Sequence, residues 1–286
     1  MCVAARASYH NHIKTTTKML LASQVSKLLR IFVGTNTTVV RRGITWSLDI
    51  RETIDLSIFL TGGFQNAVVR AILGEMGFGG TLIDVGANRG SVCVPIAKQN
   101  ERCRVFAIEP VGARCEDIRR ILSLNSDLNE RLSVDQVYLN DGRKTTEPTE
   151  TDASWNLLEY RRNGNSFGAI RCSTEGCEAL TLDEFAQAKK IESVTVIKLD
   201  VDGNEYSVRL GGQNLIKTCR PVIVMEWAPS VMYRYDISPS SLTSLLEHMM
   251  YQPFIIKRKK VELLTWQSLI EMRMINESCD VLLRPC

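Results

Sequence analysis

Acidic residues and glycines follow several predicted strands, and these residue types at this spacing are typical of a site for a nucleoside cofactor. The segment Asp84-Val-Gly-Ala-Asn-Arg-Gly90 joins a short apolar strand to a helix. Gly86 and Gly90 allow the backbone to turn tightly and to approach a ligand, and Asn88 lies between them. Glu109 ends the next strand, where a carboxylate can accept hydrogen bonds from both hydroxyls of a ribose. The spacing therefore predicts a cofactor that contains a nucleoside.

The form of this loop distinguishes between nucleoside cofactors. A dinucleotide site has the pattern G-x-G-x-x-G, in which backbone amides bind a pyrophosphate. Here the pattern is G-x-x-x-G, and the loop begins with Asp84, which would repel a pyrophosphate and attract a cation. S-adenosylmethionine (SAM) has an ammonium group, a sulfonium and no phosphate, so it fits this loop. The alternative is that Gly86 and Gly90 serve only a tight strand-to-helix turn.

A second group of carboxylates follows the predicted strand 194–200 and is a candidate for methyl-transfer chemistry. Methyl transfer from a sulfonium is an in-line displacement that depends on alignment, and an alcohol or amide acceptor must also lose a proton. Asp200 is expected to face the methyl end of the cofactor, with Asp202 and Glu205 close behind it in the chain. The alternative for Asp202 and Glu205 is stabilisation of a helix N-terminus through the helix dipole. Carboxylates also suit magnesium, but their spacing defines no metal site.

The elements that position these residues alternate between strand and helix. The predicted strands are 80–86, 104–110, 132–139, 194–200, 221–227, 253–258 and 279–284. The predicted helices are 91–99, 112–124, 182–190, 205–217 and 240–250. This alternation predicts a mostly parallel sheet with helices on both faces. Ligands bind beyond the carboxyl ends of the strands in such sheets, and Asp141, after the third strand, is therefore expected to join the cofactor site.

Composition excludes several classes of protein. The chain has 286 residues, of which 44% are hydrophobic and 23% charged, as is typical of a globular protein. Its 35 basic and 32 acidic residues give a net charge of +3, which provides no electrostatic argument for nucleic-acid binding. No apolar run approaches the roughly 18 residues of a membrane span. The nine cysteines form no C-x-x-C pair, so we expect reduced thiols, no zinc site and a cytoplasmic protein.

Three further segments are distinctive. Residues 1–30 are basic and contain no acidic residue. They predict an amphipathic helix over 16–32, with a transit-type targeting peptide as the alternative. The basic run 257–260 is predicted to be a solvated hairpin turn. The polar loop 163–168 is interpreted either as a lid over the substrate or as a plain surface loop.

Three motifs resemble those of the FkbM family of SAM-dependent methyltransferases: Ile83-Asp-Val-Gly-Ala-Asn-Arg-Gly90, Ile108-Glu-Pro110 and Ile197-Lys-Leu-Asp-Val-Asp-Gly-Asn-Glu205. The resemblance covers roughly residues 38–285. It implies the class I methyltransferase fold, a Rossmann-like α/β fold with a seven-stranded, mostly parallel sheet whose last strand is inserted antiparallel. The sequence departs from the family pattern at Asp202 and Gln65, where glutamate is common, and this affects expected substrate contacts.

The resemblance also implies a domain organisation and an activity. We divide the chain into a basic extension, 1–37, and a methyltransferase domain, 38–286, with a strand-and-helix part, 38–78, before the SAM-binding core, 79–286. The expected reaction is O-methylation of a hydroxyl on a small molecule, natural product or glycan. One alternative is N-methylation of a peptide side-chain amide or amine. The other, a catalytically silent SAM-binding partner protein, is opposed by the intact cofactor residues.

Overall fold

The computed structural model describes residues 20–143, 150–154, 157, 170–233, 238–272 and 278–286. The first nineteen residues and the proposed lid, 163–168, lie outside the described residues. The helices are α1 (20–33), α2 (Thr53–Thr61), α3 (Asn66–Met76), α4 (Cys93–Gln99), α5 (Gly112–Ser123), α6 (Leu182–Ala188), α7 (Glu205–Gly211), α8 (Gln213–Cys219), α9 (Pro229–Met232), α10 (Pro239–His248) and α11 (Trp266–Glu271). The strands are β1 (Asn36–Arg41), β2 (Ile44–Asp49), β3 (Thr81–Val85), β4 (Arg104–Ile108), β5 (Leu132–Asp135), β6 (Val137–Asn140), β7 (Glu150–Ser154), β8 (Ile170–Ser173), β9 (Glu178–Thr181), β10 (Val196–Leu199), β11 (Val222–Trp227), β12 (Tyr251–Ile256), β13 (Val261–Leu263) and β14 (Cys279–Pro285).

The central sheet has eight strands in the order β13-β12-β14-β11-β10-β3-β4-β5. The five strands from β11 to β5 run parallel, and β14, the last strand of the chain, is inserted antiparallel between β11 and β12. This confirms the predicted mostly parallel α/β fold with an antiparallel last strand. The additional strand β13 pairs with β12 as a hairpin. Its turn is the basic run, in which the Lys257 amide donates to the Lys260 carbonyl at 2.8 Å, as predicted.

The predicted third strand, 132–139, is two strands. β5 remains in the central sheet, whereas β6 leaves it and pairs in parallel with β9. Gln136 lies between them, and its side-chain amide donates to the carbonyl oxygen of Glu175 at 3.1 Å. Because the apolar alternation continues through Val137 and Leu139, the sequence pattern gives no sign of this break.

The predicted helix 205–217 is likewise divided, into α7 and α8. At Gly211 an added Cβ would lie 2.0 Å from the carbonyl oxygen of Asn140, and at Gly212 it would lie 2.6 Å from the Leu182 side chain. Glycine is therefore required for α7 to approach the end of β6 and the start of α6. The α6 helix itself begins at a capping box, in which Thr181 and Glu184 each accept the other's backbone amide hydrogen.

Two apolar cores cover the two faces of the central sheet. Alternate residues of β3 illustrate the division, with Leu82 in the first core and Ile83 in the second. The first core also contains apolar residues of β2, α2 and α3, so the segment before β3 packs on that face. Helix α1 is joined to this segment where Ser26 Oγ donates to the Ile50 carbonyl at 2.7 Å. In the described part of the chain, only α2 and α3 taken together have the length and apolar character of a membrane span, and they are bent by 76°.

Candidate active site

Charged side chains form a row across the carboxyl ends of neighbouring strands, on the face of the first core. Leu82, Val196 and Val224 belong to that core. Because side chains alternate along a strand, residues two positions further on point to the same face. On β3 and β10 these positions are Asp84 and Lys198, which are register partners. One step further towards the carboxyl ends of the parallel strands, on the same face, lie Glu109, Asp200, Glu226 and its register partner Asp280. The fold thus brings together carboxylates that are far apart in the sequence.

Lys198 lies in the middle of this row and is 4% exposed. Its Nζ lies 3.2 Å from Asp84 Oδ1 and 3.3 Å from Asp200 Oδ2, and it donates to the Gly86 carbonyl at 3.1 Å. Burial disfavours the lysine charge, but the carboxylates of Asp200 and Asp84 outweigh burial and raise the pKa of Lys198. The lysine therefore stays protonated and joins the end of β3 to the end of β10.

The predicted cofactor residues of the glycine loop meet Glu109. The backbone amide of Asn88 donates to Glu109 Oε2 at 2.9 Å, and that of Val111 donates to Oε1 at 3.0 Å. Burial raises the pKa of Glu109, and these two amides oppose the rise. The loop is held against the end of β4, with Asn88 in a left-handed conformation at φ 48°. The Oδ1 atom of Asn88 is buried and accepts no hydrogen bond from the described residues.

Gly86 and Gly90 serve close packing within the protein. A Cβ added at Gly86, where φ is 75°, would lie 1.9 Å from the carbonyl oxygen of Asp200. At Gly90 it would lie 2.9 Å from Val94 and 3.3 Å from Ile118. The first glycine therefore lets the loops after β3 and β10 touch, and the second lets α4 approach α5. Both effects shape the site, and a direct contact of Gly86 or Gly90 with the cofactor stays a prediction.

The residues predicted for catalysis lie in different environments. The Asp200 side chain is a quarter exposed and accepts a hydrogen bond from Gln65 Nε2 at 3.1 Å. Glu205 is buried, and its Oε1 accepts the backbone amides of Val201 at 3.1 Å and Gly203 at 3.3 Å, so it closes its own turn. Asp202 lies in this turn in a left-handed conformation.

Asp141 follows β6, outside the central sheet. Its Oδ1 accepts the backbone amide of Arg143 at 3.0 Å, and its Oδ2 lies 3.4 Å from the Arg143 guanidinium. The strand of the central sheet that was expected to end there instead ends at Asp135, which forms an ion pair with Lys189. The position expected for Asp141, at the carboxyl end of the third strand of the central sheet, is therefore occupied by Asp135.

Glu226 and Asp280 extend the row beyond Asp200. They are direct register partners on the antiparallel strands β11 and β14. Burial, followed by the negative charge of Asp200, raises the pKa of Glu226 to about 7 and that of Asp280 to about 6. Burial likewise raises the pKa of Glu205 to about 7. This end of the row thus contains carboxyl groups that exchange protons near neutral pH.

Arg89 supports the glycine loop, and the sequence reasoning missed this role. Its guanidinium is buried and binds Asp55 of α2 through Nε at 2.8 Å and Nη2 at 2.7 Å, and Asp117 of α5 through Nη1 at 2.8 Å. Asp55 in turn accepts the backbone amide of Asp49 at 2.6 Å. Arg89 thereby joins the loop to the segment before β3. The only sequence signal was an arginine inside the D-V-G-A-N-R-G motif.

The unsatisfied hydrogen-bond acceptors of this loop fit SAM. The carboxylate of Asp84 is fully buried and receives no well-aligned hydrogen bond in the described residues, and Asn88 Oδ1 is similarly unsatisfied. These acceptors, together with Glu109, suit a ligand that donates hydrogen bonds and carries positive charge. SAM has an ammonium group and two ribose hydroxyls as donors. Among the described residues, no group of three or more His, Cys, Asp or Glu side chains is arranged to hold a metal ion.

A protein-family comparison is consistent with this geometry. The model described as the methyltransferase FkbM domain matches residues 84–253. The chain belongs to the FkbM methyltransferase family. The matched FkbM domain contains the glycine loop, Glu109, Asp200 and Glu226. The protein is therefore a methyltransferase of the class I fold, and its methyl donor is SAM.

Individual relatives are distant. The chain is 28% identical over 202 residues to the hexuronic acid methyltransferase AglP of Haloferax volcanii, covering 69% of this chain and 74% of AglP. It is 23% identical over 178 residues to the 2-O-methyltransferase NoeI of Sinorhizobium fredii, covering 58% of this chain and 70% of NoeI. The solved FkbM methyltransferase of Methylobacillus flagellatus KT aligns with a TM-score of 0.43 and 14% identity over 77% of this chain. The alignment spans 48% of that longer protein.

Proposed function

We propose that this protein O-methylates a hydroxyl group of a sugar, either free or within a glycan or natural product. The observation that carries the proposal is the row of carboxylates that continues past Asp200 to Glu226 and Asp280. Their pKa values near neutrality suit them to take a proton from a hydroxyl. The two curated relatives, one named for a hexuronic acid and one for 2-O-methylation, support the choice of a sugar.

In this proposal the two halves of the row have different tasks. Asp84, Asn88 and Glu109 bind SAM, and Gly86 and Gly90 shape the loop that presents them. When bound, SAM supplies an electrophilic methyl group and departs as a neutral thioether. Asp141 follows β6, outside the central sheet, and its contact with SAM stays a prediction.

The acceptor half orients the hydroxyl and removes its proton. Asp200 is paired with Lys198 and accepts a hydrogen bond from Gln65, so it suits orientation of the acceptor hydroxyl more than proton removal. As the oxygen–carbon bond forms and the carbon–sulfur bond breaks, the hydroxyl proton passes to Glu226, which is partly ionised at neutral pH. Glu205 holds the turn that presents Asp200 and Asp202, and Asp202 is a further candidate for acceptor contact.

The charge of the row also bears on the class of sugar. Within the row, Lys198 is the one cation among several carboxylates. An acceptor that carries its own carboxylate would be repelled, particularly above pH 7 when Glu226 and Asp280 are ionised. We therefore propose a neutral sugar or an amino sugar, in contrast to the hexuronic acid in the name of AglP.

The test is transfer of a labelled methyl group from SAM to a panel of glycosides. The panel contains a neutral hexoside, the matching hexosaminide and the matching hexuronide, together with asparagine and lysine peptides. We expect mass spectrometry to find methylation of a hydroxyl on the first two. Methylation of a peptide nitrogen without sugar methylation would overturn the proposal, and a preference for the hexuronide would overturn its charge argument.

We propose a cytoplasmic location because the nine cysteines are scattered along the sequence without a C-x-x-C pair, a usage typical of reduced thiols. We retain 38 and 79 as the proposed starts of the methyltransferase domain and of its SAM-binding core. Limited proteolysis followed by mass spectrometry tests both limits.

A further inference from the structure

Helix α1 has two apolar faces. One face packs on the protein, with Ser23 and Ser26 buried and with Ala22, Leu29 and Val33 against the first core. The opposite side exposes a stripe of large apolar residues. These are Leu21, Val25, Leu28, Ile31 and Phe32, which are 62%, 38%, 62%, 76% and 83% exposed. A helix whose only task was to cover the first core would have polar residues at these positions.

The spacing of the exposed residues makes the stripe continuous. Leu21, Val25, Leu28 and Phe32 follow one another at intervals of four, three and four residues, which places them along one side of the helix. Ile31 lies beside Phe32 at the C-terminal end. Contiguous exposed apolar surface of this kind marks a contact site.

The sequence of α1 and of the residues that precede it contains charge of one sign. Residues 1–33 contain no acidic residue, and they contain five basic ones. These are Arg6, Lys14, Lys18, Lys27 and Arg30. Lys27 is exposed on α1, next to the stripe. An apolar stripe flanked by basic residues matches the surface of a membrane with anionic lipids, in which acyl chains lie beneath negative headgroups.

We propose that α1 docks this protein on an anionic lipid surface, with the exposed stripe inserted at the boundary between headgroups and acyl chains. A second copy of the chain is the competing occupant, but two such stripes would bring together two uniformly basic segments, and like charges oppose that contact. An anionic bilayer supplies both the apolar layer and the opposite charge.

The position of α1 gives this contact a consequence for the enzyme. Ser26 of α1 binds the Ile50 carbonyl, and the neighbouring Asp49 amide binds Asp55, which in turn binds Arg89 of the glycine loop. Because α1 is part of the unit that supports the SAM loop, docking would hold the catalytic domain next to the membrane. This inference does not depend on the identity of the methyl acceptor.

The test is sedimentation of the full chain with vesicles of phosphatidylcholine alone and of phosphatidylcholine with phosphatidylglycerol. We expect binding to the anionic vesicles, weaker binding at 0.5 M salt, and little binding to the neutral ones. Leu28→Ser with Phe32→Ser should weaken binding at least about tenfold, since each change removes apolar area that the bilayer would bury. Lys27→Gln should weaken it about fivefold.

Phe78→Ser is the matched control, because Phe78 is 71% exposed in the loop after α3 and lies outside the stripe. Circular dichroism and melting temperature verify that each variant is folded. The proposal fails if the anionic vesicles do not bind the protein, if neutral vesicles bind it equally well, or if the stripe variant binds like the control. Size-exclusion chromatography with light scattering tests whether a second copy of the chain covers the stripe instead of a membrane. A wild-type dimer that the stripe variant converts to a monomer would assign the stripe to self-association and overturn the proposal.

Discussion

At the scale of single residues, the site depends on a buried lysine between two carboxylates. Lys198 would be costly to bury alone, and its contacts with Asp84 and Asp200 compensate for the loss of hydration. The same contacts fix both carboxylates at the ends of β3 and β10. The methyl-donor half and the acceptor half of the row are thus tied together by one side chain.

Glu109 provides the first test of the SAM half. Its two oxygens accept the backbone amides of Asn88 and Val111 and retain lone pairs for ribose hydroxyls. Glu109→Gln should weaken binding of S-adenosylhomocysteine by about 1.5–3 kcal/mol, the scale of hydrogen bonds to charged groups. Calorimetry measures this, with Glu116→Gln on the exposed side of α5 as the control. An unchanged dissociation constant would restrict Glu109 to holding the loop.

Glu226 provides the second test, on the acceptor half. Because burial raises the pKa of Glu226 to about 7, the rate of methyl transfer at low acceptor concentration should rise with pH up to about 7 and then level off. Glu226→Gln should lower this rate by about 10²–10⁴-fold and remove the inflection. Glu247→Gln, on the exposed side of α10, is the control. The same inflection in the Gln variant would show that another group accepts the proton.

Sequence reasoning found some residues of this site and missed others for a physical reason. Asp84 lies at the end of β3, and Glu109 and Asp200 directly follow β4 and β10, so topology alone brings them to one edge of the sheet. Arg89 acts through tertiary contacts with Asp55 and Asp117, which no local pattern records. Gln65 was named only as a departure from the family pattern, and its contact with Asp200 was not predicted. The distribution of tasks among Asp200, Asp202 and Glu205 also depends on contacts, such as the amides that Glu205 accepts, and it stays a prediction.

At the scale of elements, two loops of the site touch through one glycine. Gly86→Ala would place a methyl group 1.9 Å from the Asp200 carbonyl at a left-handed φ, so the loops after β3 and β10 would have to separate. We expect a loss of SAM binding together with a loss of stability of several kcal/mol, since overpacking and strain both act.

Gly74→Ala is the matched control for this change. Gly74 lies within α3, and an added Cβ would have no neighbour within 4 Å. The control should stabilise the protein by about 0.5–1 kcal/mol, because alanine favours a helix. Denaturant unfolding and calorimetry measure both variants. Normal SAM binding by Gly86→Ala would contradict the proposed close approach.

The buried ion pairs of Arg89 with Asp55 and Asp117 join the segment before β3 to the glycine loop of the candidate active site. Arg89→Met would leave Asp55 buried without its cationic partner, which should cost about 3–5 kcal/mol of unfolding free energy. Adding Asp55→Asn should recover part of this loss. The control is Arg119→Met on the same helix α5 as Asp117, whose exposed pair with Glu116 contributes at most about 1 kcal/mol. Equal losses of unfolding free energy in Arg89→Met and Arg119→Met would contradict this structural role of the Arg89 ion pairs.

Elements were predicted best where periodicity and turn residues agree. The strands at 81–85, 104–108 and 196–199 lie within the predicted ranges because each is a short apolar run closed by turn residues. The division of 132–139 and of 205–217 was not predictable. The helix breaks at Gly211 and Gly212, where α7 packs on β6 with Gly211 against the Asn140 carbonyl. The strand breaks at Gln136, where β6 leaves the central sheet to pair with β9. Such close contacts depend on the whole fold.

At the scale of the whole molecule, proton binding should couple the site to stability. The folded protein holds several buried carboxyl groups with raised pKa values: Glu205 and Glu226 at about 7, and Asp55 and Asp280 at about 6. In the unfolded chain these groups release their protons near pH 4. Between about pH 4 and 7 the folded state therefore binds more protons than the unfolded state. The free energy of unfolding must then fall as pH rises through this range.

Groups with lowered pKa values act in a different range. Asp49, which pairs with Arg51, has its pKa lowered although burial opposes this, so its stabilisation is lost only as pH falls below about 4. The raised pKa of Lys198 likewise matters only above its ordinary value of 10.5. Neither Asp49 nor Lys198 opposes the decline in the free energy of unfolding between pH 5 and 8. The change in the free energy of unfolding over this pH range therefore reports on the buried carboxyl groups.

Glu205→Gln tests this coupling, because glutamine keeps an oxygen that accepts the amides of Val201 and Gly203 but does not titrate. For the wild-type protein, urea unfolding at pH 5 and pH 8 should give a lower free energy at pH 8. Glu205 alone should account for a difference on the order of 3 kcal/mol, since its pKa rises from 4.5 to about 7. The variant should show a smaller decline, whereas Glu192→Gln, an exposed control, should retain it. If the Glu205→Gln variant declined as steeply as wild type, the turn carboxylate would be ionised in the folded protein. The loss of stability with pH would then have to come from Asp55, Glu226 and Asp280, and the turn that presents Asp200 would carry a permanent negative charge.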